Sequence, residues 1–137
     1  MTITEGVLLS PVTLVTQSPY FESVYTNTIT TTSASDILMT NLSLTPVKGT
    51  YAVTFYGSLA VSNTARTIYT SFYKAGSQMV GTEVQTKPAS TSTIAVTTII
   101  KTITFSGSEL LEVRWRINGN TATCYNRALT IYRLGEG

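Results

Sequence analysis

The sequence predicts an all-β fold, either a sandwich or a barrel of antiparallel strands. Threonine and tyrosine favour strands, and they are abundant, with 27 and 8 copies among 137 residues. No window of about 11 or more residues keeps the 3.6-residue apolar period of a surface helix. About eight strand-like segments follow one another at spacings of roughly 8–14 residues, which is typical of all-β sandwiches and barrels.

Most of the predicted strands are rich in β-branched or aromatic residues. In the second segment Leu38, Leu42 and Leu44 recur at a period of two, and in the third, fourth and eighth apolar residues such as Phe55 share one face. The sixth is long and rich in Ile, Val and Thr. In the seventh, four apolar residues alternate with three charged ones, which makes it the clearest half-buried strand. The predicted strands are 21–29, 37–44, 51–61, 67–74, 78–86, 94–105, 111–117 and 121–134.

Turn-forming residues separate these segments. The dipeptide Asn118–Gly119 is the strongest short turn signal and predicts a tight hairpin. Pro88 has no amide hydrogen to pair, so residues 87–92 are not expected to form a central strand. In order, the predicted turns and loops are 30–35, 46–49, 62–64, 75–77, 87–92, 106–108 and 118–119.

The first 20 residues are predicted to form an extended N-terminal arm, and residues 21–137 a single sandwich domain. Pro11 and Pro19 favour extended geometry in the residues before them. The segment is too apolar for a solvated tail, so we expect it to contact another molecule. The alternative is an additional edge strand of its own domain. The apolar residues expected to dock are Val7, Leu8, Leu9, Val12, Leu14 and Val15.

Composition excludes several classes of function. The chain has no histidine and one cysteine, so neither an internal disulfide, nor a Cys/His zinc site, nor a histidine base is available. The spacing Ser71 to Lys74 matches a catalytic Ser-x-x-Lys motif, but in a strand the two side chains point to opposite faces. We therefore predict no enzyme activity, no cofactor and no metal site. A net charge of +2 also argues against a nucleic-acid partner.

Targeting and membrane-spanning segments are not predicted either. The N-terminus lacks a basic start and a long apolar stretch, so we expect no signal peptide. The longest apolar runs are far shorter than the ~18 residues of a transmembrane helix. A lone cysteine, Cys124, is compatible with synthesis in a reducing cytoplasm.

Tyrosines on strand faces indicate a subunit interface. Tyr56, Tyr69 and Tyr73 are predicted to point away from the core, on a surface with few charges. Tyrosine-rich surfaces without charge are typical of interfaces, and the alternative is a solvent-exposed Thr/Tyr face. Arg114 and Arg116 share one strand face, where they either bind an anion such as a glycan carboxylate or, as we favour, form salt bridges across strands or subunits. We expect these five residues to hold a homotrimer.

Two further residues are predicted to be structural. Trp115 alternates in phase with apolar neighbours and should lie in the core. Cys124 has no basic neighbour or helix N-terminus to lower its pKa, so we expect an inert thiol.

Three segments resemble the strands of tumour-necrosis-factor-like and complement-globular-head-like jelly rolls. Residues 49–58 resemble their G-x-Y-x-V-x-F strand, 106–113 a later turn and strand, and 127–134 the final strand. Residues 111–116, 121–123 and 127–130 also resemble small structural proteins of tailed bacteriophages. Together the resemblance covers about residues 36–134.

The resemblance implies a jelly-roll β-sandwich of about eight to ten antiparallel strands, usually trimeric. In this family the last two strands lie in different sheets, so either residues 121–126 cross over after Asn118–Gly119 or the topology differs. We expect a trimeric capsid decoration protein that docks on the major capsid protein through its arm and stabilises the shell. It would be made in the host cytoplasm and reside on the virion surface. The alternative is a fibre-tip or head-fibre module that recognises host glycan.

Overall fold

The computed structural model describes residues 20–136, which form ten strands in two antiparallel sheets. Sheet A has the order β1-β10-β4-β8, with β2 also paired to β10; sheet B has the order β3-β9-β5-β6, with β7 also paired to β5. This described part contains no helix that could cross a membrane. The strands are β1 (Tyr20–Tyr25), β2 (Ile29–Thr31), β3 (Ile37–Leu44), β4 (Gly49–Val61), β5 (Ile68–Lys74), β6 (Ser77–Gln78), β7 (Val84–Thr86), β8 (Ala95–Phe105), β9 (Leu111–Ile117) and β10 (Ala122–Gly135).

The connections make this sandwich a jelly roll. From β2 to β5 the chain changes sheet at every connection, and it does so again from β7 to β10. The predicted fold class and strand number are therefore confirmed. Of the predicted arm, only Tyr20 is described, and it begins β1; the six apolar arm residues lie outside the described residues.

Two predicted strands are each divided in two. The segment 21–29 is interrupted between β1 and β2, because Asn27 there turns its backbone oxygen toward the Arg127 guanidinium, 2.9 Å away. The segment 78–86 is divided between β6 and β7 by a turn that Thr82 holds. Its hydroxyl accepts a hydrogen bond from the Phe72 amide and donates one to the Met79 carbonyl. The predicted loop 30–35 also begins later, because β2 extends to Thr31.

The prediction of a tight hairpin at Asn118–Gly119 is wrong. β9 belongs to sheet B and β10 to sheet A, so the turn crosses from one sheet to the other. The Asn118 side chain accepts a hydrogen bond from the Thr67 amide, and Arg66 donates one to the side chain of Asn120. Gly119 has a φ of +145°, a backbone conformation that other residues rarely adopt, so this turn favours glycine.

The core fills the space between the sheets with the inward residues of both. Trp115 is 1% exposed and packs among them, which confirms its predicted place in the core. Other fully buried large side chains are Phe55, Phe72, Phe105, Met39, Leu42, Leu59, Ile68, Leu111, Ile117 and Leu129.

Thr70 places an unpaired hydroxyl in this core. Its side chain is fully buried on β5, and its Oγ1 has no hydrogen-bond partner. A buried hydroxyl without a partner costs about 1–3 kcal/mol. Thr70→Val should therefore raise the free energy of unfolding by about 1 kcal/mol in urea denaturation. Thr82→Val is the matched control: it removes a hydroxyl that is paired, so it should lower the free energy of unfolding by about 1–2 kcal/mol. A destabilising Thr70→Val would contradict this account.

Cys124 is buried on β10, and its thiol donates a hydrogen bond to the Asn126 carbonyl, with Sγ 3.3 Å from the oxygen. Burial raises the pKa of this thiol from 9.0 to about 11. The protonated thiol therefore stabilises the fold fully below pH 9, and this contribution is lost as the pH rises through about 11. The difference between these two pKa values corresponds to about 2.7 kcal/mol of folding free energy.

We expect the folded protein to resist thiol reagents at pH 8 and to react only after unfolding. Between pH 9 and 11 it should lose stability more steeply than Cys124→Ala. Rapid labelling of the folded protein at pH 8 would contradict the burial of this thiol.

Candidate interaction surfaces

Four of the five predicted interface residues lie together on the outer face of sheet B. Tyr69 and Tyr73 come from β5, while Arg114 and Arg116 come from the neighbouring β9. Each guanidinium stacks on a tyrosine ring: Arg116 over Tyr69 and Arg114 over Tyr73, both 4.1 Å from the ring centroid. We call these four residues the Arg–Tyr ladder.

Both arginines of the ladder form salt bridges with carboxylates. Arg116 Nη1 lies 3.0 Å from Asp36 Oδ1 and 2.9 Å from Glu83 Oε1. Arg114 Nη2 lies 2.7 Å from Glu112 Oε1 on its own strand. Partial burial and a hydrogen bond to Asp36 raise the pKa of Tyr73. Both arginines thus form salt bridges within the chain, and this face is not poor in charge.

Tyr56 lies elsewhere. It belongs to β4 of sheet A and points outward there, with its hydroxyl 3.0 Å from Ser58 Oγ. The five predicted interface residues therefore occupy opposite faces of the sandwich and do not form one surface. Periodicity shows that a side chain points outward, but it does not show from which sheet.

The surface around Tyr56 is poor in charge, as the sequence predicted for an interface. Its residues form three rows across β1, β10, β4 and β8 in the paired register of sheet A. Glu22 is the one charged residue in these rows. Exposure of the large side chains is high, with 53% for Tyr132 and 72% for Ile100. This outer A face consists of Tyr20, Tyr132, Ala52 and Thr102; Glu22, Thr130, Thr54 and Ile100; and Val24, Ala128, Tyr56 and Thr98.

The sequence prediction missed most of this face. Tyr132 and Ile100 could have been found, because each alternates with buried residues of its own strand. Tyr20 is the first described residue and lies where the arm was expected to end.

A shallow pocket of about 340 Å³ lies at one end of the sandwich. Lys74 donates a hydrogen bond to the Thr104 carbonyl there, and its Nζ is 3.7 Å from Glu109 Oε2. A backbone hydrogen bond from Ser106 lowers the pKa of Glu109. Within residues 20–136, no cluster of three or more acidic or cysteine side chains could hold a metal ion. The charged groups of the pocket, Lys74 and Glu109, therefore pair with each other and with backbone groups, and they form no recognisable catalytic arrangement.

Sequence comparison finds no matching protein family and no matching curated protein. Solved structures do match. Eiger TNF from S. frugiperda superposes with a TM-score of 0.63 and 9% identity, over 88% of this chain and 96% of that one. The chain has a tumour-necrosis-factor-like jelly-roll fold. VP2 of infectious bursal disease virus, from its subviral particle, superposes with a TM-score of 0.56 and 5% identity, over 83% of this chain and 32% of that one.

These matches establish the fold alone. They confirm the resemblance to jelly rolls of the tumour-necrosis-factor type and add a viral protein with a similar fold. Neither protein comes from a tailed bacteriophage.

Proposed function

We propose that the protein is a homotrimeric structural protein of a virus particle, and that it decorates the capsid of a tailed bacteriophage. The observation that carries this proposal is the outer A face. The sandwich already has a complete core between its sheets, so this second apolar surface is not needed to fold one copy. Surfaces that combine exposed tyrosine and aliphatic side chains with little charge are typical of interaction sites.

The chemistry of the outer A face favours contact between copies. Tyr56 and Tyr132 offer large rings at little entropic cost, and their hydroxyls can form hydrogen bonds where the interface is wet. With Glu22 as the one charge in the three rows, little desolvation of ions opposes the packing of three such faces around an axis. The Arg–Tyr ladder, on the opposite sheet, then remains at the outside of the trimer.

The viral part of the proposal has separate support. The strand motifs resemble phage structural proteins, and the VP2 capsid protein has a similar jelly roll. We assign the contact with the major capsid protein to the N-terminal segment, in which the apolar residues expected to dock begin at Val7. The protein would be made in the host cytoplasm and reside on the virion surface.

Sedimentation tests the assembly. We expect a species of three chains, about 44 kDa from a chain mass of 14.8 kDa, at micromolar concentration. The double variant Tyr56→Glu/Tyr132→Glu should sediment as a monomer, because it places carboxylates within the interface. Tyr69→Glu, the same substitution on the Arg–Tyr ladder, should remain a trimer. A stable monomer of the unsubstituted protein would end the trimer proposal.

Co-sedimentation with capsids that lack the protein tests the role. We expect the trimer to bind them and to raise the temperature at which they lose their DNA. Deleting residues 2–10, which removes Val7, Leu8 and Leu9, should leave the trimer intact and abolish binding. Binding to host-cell glycans without binding to capsids would contradict decoration and favour a fibre-tip role.

A further inference from the structure

One edge of sheet A is open. β8 forms this edge and pairs on one side only, with β4, over eleven consecutive residue pairs from Gly49–Phe105 to Leu59–Ala95. No strand formed by residues 20–136 pairs with its other side. Over its length of roughly 36 Å, β8 therefore has no strand partner on this side. Individual side chains do contact it: Lys74 donates a hydrogen bond to the Thr104 carbonyl, and the hydroxyl of Thr86 on β7 pairs with that of Thr97.

This edge carries one of the usual protections against a further strand, the inward-pointing Lys101 between Ile99 and Ile103. It has no bulge, since its pairing with β4 shows no register shift, and it contains no proline. Lys101 is its one charged residue. Val96 and Ile100 are 63% and 72% exposed beside the open edge. Long, apolar edges of this type readily accept another strand.

The described chain begins at the opposite edge of the same sheet. Tyr20 lies in one row with Thr102 of β8, three strands away, which is about 14 Å. Val15 is five residues before Tyr20 and can lie at most about 17 Å from it. To reach β8 of its own copy, this segment would have to cross the outer A face, which the proposed trimer buries.

In a ring of three copies whose outer A faces surround the axis, the β1 edge of each copy lies beside the β8 edge of the next. We propose that residues 12–15 of one copy add a strand to β8 of its neighbour. The proposal rests on the trimer of the preceding subsection. Val12, Thr13, Leu14 and Val15 are apolar or β-branched and carry no charge. Pro11, which has no amide hydrogen, ends the pairing and leaves residues 7–9 free to contact the shell.

Disulfide cross-linking tests this exchange. Leu14→Cys is combined in turn with Thr98→Cys, Ile100→Cys or Thr102→Cys, all on the outward side of β8. The native Cys124 is buried and does not compete. After mild oxidation, at least one pair should give covalent dimers and trimers on a non-reducing gel. Leu14→Cys with Ser43→Cys, on β3 of the other sheet, is the control and should give none.

The outcomes separate this inference from the trimer itself. A trimer without interchain cross-links, or with intrachain disulfides alone, overturns the strand exchange and leaves the trimer standing. A monomer overturns both.

Independently, deleting residues 2–18 should raise the concentration at which the trimer dissociates by tenfold or more, while deleting residues 2–10 should leave it unchanged. Equal behaviour of the two deletions would also overturn the exchange.

Discussion

Trp115→Ala should lower the free energy of unfolding by about 3–5 kcal/mol, which is typical of a large aromatic side chain removed from a packed core. Trp115 is 1% exposed at the centre of β9, between the two sheets, so neighbouring side chains cannot fill the cavity without moving a strand. Chemical denaturation followed by circular dichroism gives the value, because the variant lacks the chain's one tryptophan.

Trp115→Phe is the control and should cost no more than about 2 kcal/mol, because much of the ring volume is kept. In the unsubstituted protein, tryptophan emission should be blue-shifted and resistant to iodide. A red-shifted emission that iodide quenches, or a loss below 1 kcal/mol for the alanine variant, would contradict a core position.

Arg127→Met should lower the free energy of unfolding by about 2–4 kcal/mol, since each hydrogen bond to a charged group contributes about 1.5–3 kcal/mol. Arg127 is fully buried on β10. Its Nε and Nη1 each lie 2.9 Å from a carbonyl oxygen, of Thr40 and Asn27 respectively. Its guanidinium also lies 5.0 Å from the ring centroid of Tyr25. Methionine keeps much of the volume but leaves both carbonyls without a donor.

Arg133→Met is the matched control, because Arg133 forms its ion pair with Glu136, whose side chain is 93% exposed. Such pairs contribute about 0–1 kcal/mol. Equal losses from the two variants would show that the buried hydrogen bonds of Arg127 are not what stabilises the fold.

Local chemistry was enough to predict most strands and their inward faces. The bounds predicted for β3 and β9 agree with the structure, because turns flank both. β9 also keeps a two-residue period, whereas β3 breaks it at Asn41, so that Met39 is buried and Leu38 is exposed. The fold class follows from the same local signals. Trp115 could be placed in the core for this reason, without knowledge of the strand across from it.

Sheet membership could not be predicted from such signals, because it depends on pairing between distant residues. Tyr56 and Tyr69 lie on consecutive long strands, β4 and β5, and both point outward. Their strands belong to different sheets, so the two tyrosines lie on opposite surfaces. The partners of Arg116 are equally remote, with Asp36 80 residues away and Glu83 33 residues away in the sequence.

Arg127 shows a signal that the prediction did not use. It is in phase with Leu129 and Ile131, which both point into the core, so period two alone places it inside. A charged side chain such as that of Arg127 is usually expected at the surface. The hydrogen-bond partners that allow it to be buried are backbone carbonyl oxygens, which no side-chain pattern can reveal.

The central position of β10 in sheet A has a consequence for biosynthesis. β10 separates β1 and β2 from β4, and Tyr20 pairs with Tyr132, 112 residues later in the chain. During translation, β1 and β2 therefore have no partner until residues 122–135 have left the ribosome. Until then the apolar inner face of sheet B lacks the part of sheet A that β1, β2 and β10 form, so we expect the nascent chain to need chaperones and to fold late and slowly, as structures dominated by distant contacts do.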